Sequence, residues 1–247
     1  MKKDVLTLLG DTVSMIKQKP LILLPIVIIQ ALLLFVTLSK IGVPPAEVGF
    51  SLIESILSIT SAFVLFYTII LAQMVSDSGA LDFQEGFKKL TAKLWPLALL
   101  LILIAAISMV VLIISGIITG FVAYSLAGTA GNILIYLISA CAALIIFLII
   151  YFNFIFSSYI IIFEDKGVKE AVTRNRELVA RNHKLLIRWI IACVMLALVV
   201  FVPIGVIFAA INLPAVNAIA ASIANMLYMG LTTIWGFLVY REAIKPA

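Results

Sequence analysis

The sequence has little charge, two cysteines, one histidine and none of the short motifs that mark common enzyme classes. Asp, Glu, Lys and Arg make up 12% of the 247 residues, about half of the ~25% usual in soluble domains. Cys141 and Cys193 lie in apolar stretches, and His183 has no metal ligands at suitable spacing, so neither a disulfide nor a metal site is expected. HExxH, GxSxG, P-loop and GxGxxG patterns are absent. We therefore expect a non-catalytic protein without a cofactor.

Hydrophobic residues make up 64% of the chain, and its mean hydropathy is +1.27. Apolar runs recur that are long enough for a helix to cross a hydrocarbon core of about 30 Å. Helices suit this environment because each satisfies its own backbone groups. The sequence therefore predicts an all-α, polytopic membrane bundle of six transmembrane helices. The predicted spans are Leu21–Ser39, Leu52–Met74, Pro96–Gly120, Ile133–Phe163, Leu185–Ile211 and Ala215–Tyr240.

The basic residues are concentrated on one side of these spans. Of the 17 Lys and Arg residues, only Lys40 falls on the opposite side. Cytoplasmic segments carry an excess of Lys and Arg. The sequence therefore predicts a multi-pass protein of the cell membrane with both termini in the cytoplasm.

Three amphipathic segments precede spans one, three and five: Asp4–Lys19, Asp82–Leu94 and Val168–Asn182. Each spaces its apolar residues as a helix does and is predicted to lie at the cytoplasmic membrane surface. Their similarity suggests a three-fold internal repeat within one domain, with units 1–74, 75–163 and 164–247; Gly10 and Gly86, for example, are 76 positions apart. The pattern is typical either of a pseudo-threefold bundle with an axial site or of three hairpins packed in sequence.

The segment before span five also resembles a broad group of six-helix prokaryotic membrane proteins, which includes the membrane domain of some glycerophosphodiester phosphodiesterases. In that group a glycine follows span four, a short helix carries an alanine and a leucine, and an asparagine precedes span five. The matching residues here are Gly167, Ala171, Leu178 and Asn182, while the group's mid-helix serine is replaced by Asn175. The resemblance implies the six-span fold and no particular activity.

Glu54 is the only Asp, Glu, His, Lys or Arg residue inside a predicted span and away from its cytoplasmic mouth. It either takes up a proton or a cation or stays hydrated at the outer interface. Uncharged polar residues in spans four and six either line a path for a small solute or hydrogen-bond between helices. These candidates are Asn153, Ser157, Asn217, Asn225, Tyr228 and Thr232.

Four basic residues around the third surface helix are candidates for binding anionic lipid headgroups: Arg174, Arg181, Lys184 and Arg188. Their spacing can put the last three on one helical face. The ordinary alternative is charge that only sets the topology. Acidic neighbours argue against nucleic acid as a partner, whereas a protein partner or a homo-oligomer stays open.

Two functions remain from the sequence. The first is a membrane protein that organises lipids or a partner through its basic cytoplasmic face. The alternative is a small transporter or channel subunit that uses the interior of spans two, four and six. A water-accessible cavity reaching Asn153 or Asn225 would favour the transporter, and a closed interior would favour the organiser.

Overall fold

The computed structural model describes residues 3–41, 52–125, 152–211 and 213–245. These residues form seven α-helices and no strand, which confirms the all-α fold. A short 3-10 helix, Pro20–Leu23, leads into the second α-helix. The α-helices are α1 (Val5–Gln18), α2 (Leu24–Ser39), α3 (Leu52–Ser78), α4 (Phe83–Ser125), α5 (Ser157–Phe163), α6 (Val168–Ile211) and α7 (Pro214–Ala243).

Five helical segments in the described ranges are long and apolar enough to cross a membrane, and they match five of the six predicted spans. They are Pro20–Ser39, Ile53–Ser78, Phe83–Val110, Val168–Val206 and Pro214–Ala243. Large apolar side chains cover their outer faces, such as Phe35 at 72% exposed and Val199 at 69%. Such surface is stable in lipid and not in water, so the chain is a membrane protein. Most of the fourth predicted span lies outside the described residues, and so does Cys141.

Two of the three surface helices lie in the same long helix as the span that follows, one of them with a kink between the two. α1 is a separate helix, whereas Asp82–Leu94 and Val168–Asn182 form the first parts of α4 and α6. The backbone of α6 leaves helical geometry at Asn182 (φ −121°, ψ 23°), which sets the third surface helix apart from its span. Pro96 lies inside α4. A proline in a helix interior removes one backbone hydrogen bond, and α4 continues past it.

The chain divides into two compact units. The first unit contains Met1–Thr91 and Asn182–Ala247, and the second contains Ala92–Arg181. No observation tests the three repeat-like units 1–74, 75–163 and 164–247, and they stay a prediction.

In the first unit, α2, α3 and α7 pack together, and α1 lies against α7. Trp235 Nε1 donates to the Val5 carbonyl at 3.1 Å, and Asn182 Nδ2 donates to the Ala243 carbonyl at 3.0 Å. These bonds bring the start of α1, the start of the α6 span and the end of α7 together at what we call the basic end. At the opposite end, the far end, Lys40 pairs with Glu54 at 2.6 Å.

Packing in the first unit is dense toward the basic end and loose toward the far end. Ile22, Ile26, Ile70, Trp235 and Phe237 are all 0–1% exposed and lie in the basic half. Among the side chains that the structure describes, none is buried in α2 after residue 30, in α3 before residue 66, in α6 after residue 189 or in α7 before residue 224. Toward the far end, the described side chains of this unit are therefore less closely packed.

Candidate functional site

A cavity of about 430 Å³ lies in the first unit, between α2, α6 and α7. Two amide side chains, Gln30 and Asn225, stand at one end of it, and its walls are mostly apolar. The described lining residues are Gln30, Leu33, Leu34, Thr37, Phe201, Ala218, Ala221, Ser222 and Asn225.

The two amides lie near the middle of their spans. Gln30 is ten residues after Pro20 and Asn225 eleven residues after Pro214, or about 15 and 16 Å along a helix that rises ~1.5 Å per residue. These distances are half of a hydrocarbon core of about 30 Å. From the amides, the cavity continues along α2 to Thr37 and along α7 to Ala218, toward the far end.

The hydrogen bonds among the cavity's polar groups are either long or made to a weak acceptor. Asn225 Nδ2 donates to Gln30 Oε1 at 3.3 Å, and Ser222 Oγ donates to the Gln30 carbonyl at 3.4 Å. Gln30 Nε2 donates to the Met229 thioether at 3.4 Å, and a thioether is a weak acceptor. Ordinary distances to an oxygen acceptor are about 2.9 Å for N–H donors and about 2.7 Å for O–H donors, so the two bonds to oxygen are long. These groups therefore keep unused capacity to bond another molecule.

Close packing shuts the cavity toward the basic end. A Cβ placed on Gly230 would lie 2.8 Å from Leu23 Cδ2, so α7 and the 3-10 helix approach at a distance that only glycine allows without movement. Trp235 and Phe237, one and two turns further along α7, are 0% and 1% exposed. The cavity therefore ends at the layer of Gln30 and Asn225.

Of the polar residues predicted in span six, Asn225 lines the cavity and the other three do not. Tyr228 donates to the Cys193 carbonyl at 3.4 Å, and Thr232 donates to the carbonyl of Tyr228 in its own helix at 2.7 Å. Asn217 is half-buried, and its Oδ1 has no hydrogen-bond donor among the described residues. The sequence prediction missed Gln30, although a glutamine ten residues into an apolar span was a usable signal.

Glu54 does not line the cavity. Its carboxylate pairs with Lys40 Nζ at 2.6 Å, and its side chain is 38% exposed. The only basic residue predicted on the outer side thus neutralises the only carboxylate predicted inside a span. Proton or cation uptake by Glu54 stays a prediction.

In the second unit, Asn175 ties α6 to the residues that precede α5. Asn175 is 0% exposed. Its Nδ2 donates to the carbonyls of Phe152 and Asn153 at 3.0 and 2.6 Å, and its Oδ1 accepts from the Phe156 amide at 2.8 Å. The helix is broken just there, before Ser157, so the asparagine satisfies backbone groups that the break leaves unpaired.

The predicted residues of span four take part in this junction. Asn153 Oδ1 accepts a bond from Arg176 Nε at 3.1 Å. Ser157 is fully buried, and its hydroxyl has no hydrogen-bond partner among the described residues. Asn153 therefore belongs to the contact between span four and the third surface helix.

The four predicted headgroup ligands differ in their surroundings. Arg174 pairs with Glu177 at 3.1 Å, and Arg188 lies 3.7 Å from Asp4. Arg181 and Lys184 are exposed and have no ion-pair partner in the described part of the chain. The helix is interrupted at residue 182, so the argument for one continuous face does not extend from Arg181 to Lys184. Headgroup binding stays a prediction.

Within the described ranges, no group of three or more His, Cys, Asp or Glu side chains could hold a metal ion. Comparison with known proteins identifies a family, but that family has no known activity. The profile of a family described as "Domain of unknown function (DUF7847)" matches residues 4–242. Neither a curated protein nor a solved structure matches the chain.

Proposed function

The chain belongs to the DUF7847 family, a domain of unknown function. From the cavity, we propose that this membrane protein is a carrier or channel subunit for a small solute. The observation that carries the proposal is the cavity of about 430 Å³ that reaches Asn225. Substrate sites of many transporters lie near the middle of the bilayer. The depth of Gln30 and Asn225 is consistent with such a site.

The two ends of the first unit fit this role. If both termini are cytoplasmic, as the basic residues predict, the far end faces outward. The cavity then opens toward the outside and ends at the amides, while the densely packed basic end closes the inner half. This arrangement is the one expected of an outward-facing carrier or of a channel shut on its inner side.

Thiol accessibility tests the proposal. In a chain with Cys141 and Cys193 replaced by serine, Asn225→Cys and Ser222→Cys are labelled by a membrane-impermeant thiol reagent added from outside. Leu227→Cys is the matched control, because Leu227 lies on the same helix and its side chain is 47% exposed on an apolar face. We expect labelling at positions 222 and 225 and none at 227. Absence of labelling at both cavity positions would mean that water does not reach the amides, and the proposal would be rejected.

A second candidate function is lipid organisation by the basic face, which the surroundings of Arg181 and Lys184 favour. Both side chains are exposed, and each unpaired cation near an anionic leaflet contributes about 1 kcal/mol. Native mass spectrometry of the purified protein measures the anionic phospholipid that it retains. Arg181→Gln with Lys184→Gln should reduce retention more than Arg188→Gln, because Arg188 lies beside Asp4. Equal retention by all variants and the parent protein rejects this candidate.

A further inference from the structure

Building on the proposed function, we infer that the cavity takes an uncharged solute that both accepts and donates hydrogen bonds, a small amide, urea or polyol, and that Gln30 and Asn225 bind it. The inference combines the charge of the cavity walls, the state of the amides and the size of the space.

The cavity walls select against charge. None of the nine described lining residues is ionisable. Lys40 and Glu54, the charged residues of the far end among those that the structure describes, pair with each other at 2.6 Å. A charged group near the bilayer centre is costly without a partner, so an ion would find no compensation at this depth.

The amides provide one donor and one acceptor. Gln30 is 5% exposed, and its Nε2 contacts only a thioether among the described residues, at 3.4 Å. A carbonyl or hydroxyl oxygen of a solute is a stronger acceptor than this sulfur. Asn225 uses its Nδ2 to reach Gln30 at 3.3 Å, which leaves its Oδ1 to accept from a solute N–H or O–H. A neutral amide, urea or polyol satisfies both groups.

The size of the cavity suits a small molecule with some water. A space of about 430 Å³ lies in the lower part of the range of about 300–1,000 Å³ that small-molecule pockets have. Leu33, Leu34 and Phe201 form apolar walls, which offer few partners to a large polar molecule. A solute of a few heavy atoms can therefore reach the amides without leaving polar groups unpaired against these walls.

Solute entry into proteoliposomes tests the inference. The full chain is reconstituted, and the entry of urea, acetamide and glycerol is compared with that of acetate and potassium ions by light scattering. We expect at least one neutral solute to enter faster than in protein-free vesicles, and the ions not to. Gln30→Leu or Asn225→Leu should lower that rate about fivefold, the factor that corresponds to one ordinary hydrogen bond. Thr232→Val is the control, since Thr232 bonds only its own helix.

Each result decides the inference separately from the proposed function. Entry of acetate or potassium at the rate of the neutral solutes overturns it, and so does failure of all three neutral solutes to enter. Equal rates for Thr232→Val and for both amide variants would overturn the role of Gln30 and Asn225. If labelling at position 225 succeeds while these solute tests fail, the solute class is wrong and the water-accessible cavity remains.

Discussion

At the scale of single residues, the buried amide side chains of Asn175 and Gln30 differ in how well their hydrogen bonds are made. Asn175 makes three hydrogen bonds of 2.6–3.0 Å to backbone groups of one helix break. Gln30 is nearly as buried, yet its side-chain bonds measure 3.3 and 3.4 Å, and one of them ends on sulfur. Burial of a polar group is costly unless its bonds are made. We therefore interpret Asn175 as structural and Gln30 as available to a ligand.

Replacing Asn175 by leucine should destabilise the protein. The change leaves the carbonyls of residues 152 and 153 and the amide of residue 156 without their partner, and each unpaired buried group costs about 1–3 kcal/mol. We expect a loss of roughly 3 kcal/mol or more, seen as a fall of several degrees in the melting temperature in detergent. Thr173→Val is the control, because Thr173 is exposed and bonds only its own helix. An equal melting temperature for the two variants would contradict the structural role.

Alanine at Gly86 and at Gly10 should have opposite effects on stability. A Cβ on Gly86 would lie 2.9 Å from Leu71 Cδ2 and 3.1 Å from Tyr67 Cε2, whereas Gly10 has nothing within 4 Å. We expect Gly86→Ala to cost about 1–3 kcal/mol through overpacking and Gly10→Ala to gain up to ~1 kcal/mol through helix propensity. Thermal unfolding in detergent measures both. If both variants gained stability, the close approach of α3 to the start of α4 would be wrong.

At the scale of elements, α1 packs against α7 in addition to any contact that it makes with a membrane surface. Val5 and Leu8, part of its apolar stripe, are each 3% exposed. The Lys3 amide donates to Glu242 Oε1 at 2.9 Å, which attaches the start of α1 to the end of α7. Lys3 Nζ also donates to Asp11 at 2.7 Å, and this bond raises the pKa of Lys3. An amphipathic pattern predicts the helix but not which apolar partner it meets.

Trp235→Phe should loosen α1 without unfolding the bundle. Phenylalanine keeps most of the packing volume but loses the indole donor to the Val5 carbonyl. The lost bond is worth about 1 kcal/mol, or a factor of about five in local opening. Hydrogen–deuterium exchange of residues 5–18 should rise by that factor. Trp95→Phe, at a side chain 71% exposed, should leave the exchange of α1 unchanged, and equal exchange in both variants would rule out this anchor.

At the scale of the whole molecule, the first unit has one dense end and one open end. The dense end is also the end that carries its basic residues, apart from Lys40. The basic residues predict that the open end faces outward, and the direction of any solute path depends on that prediction.

Reporter fusions test the orientation. Alkaline phosphatase fused after residue 245 should be inactive and a fluorescent protein at the same place bright, because both termini are predicted to be cytoplasmic. Phosphatase fused after Lys40 should be active and serves as the control for insertion of span one. The reverse pattern would place the cavity mouth in the cytoplasm, and thiol labelling of Asn225→Cys should then require access from that side.

Much of the fold followed from the sequence because hydrophobic length and charge asymmetry act locally. Apolar runs of about 20 residues can only be satisfied in lipid, so five described spans lie where they were predicted. The amphipathic stretch before span one is a helix as expected. The fourth span, the six-span total and the resemblance to the phosphodiesterase-associated membrane domains stay predictions.

The cavity could not be derived in this way, since its residues come from helices far apart in sequence. Asn225 was a candidate among six uncharged polar residues, and only packing distinguished it from Thr232, which bonds its own helix. Gln30 lies 195 positions from Asn225, and no periodicity predicts that pairing. The sequence by itself determined a helical membrane protein, because solvation of each segment depends on its own composition, and it predicts that the basic residues lie on one side. Only the tertiary structure decided where polar groups meet empty space, because that depends on how closely the helices pack at each depth.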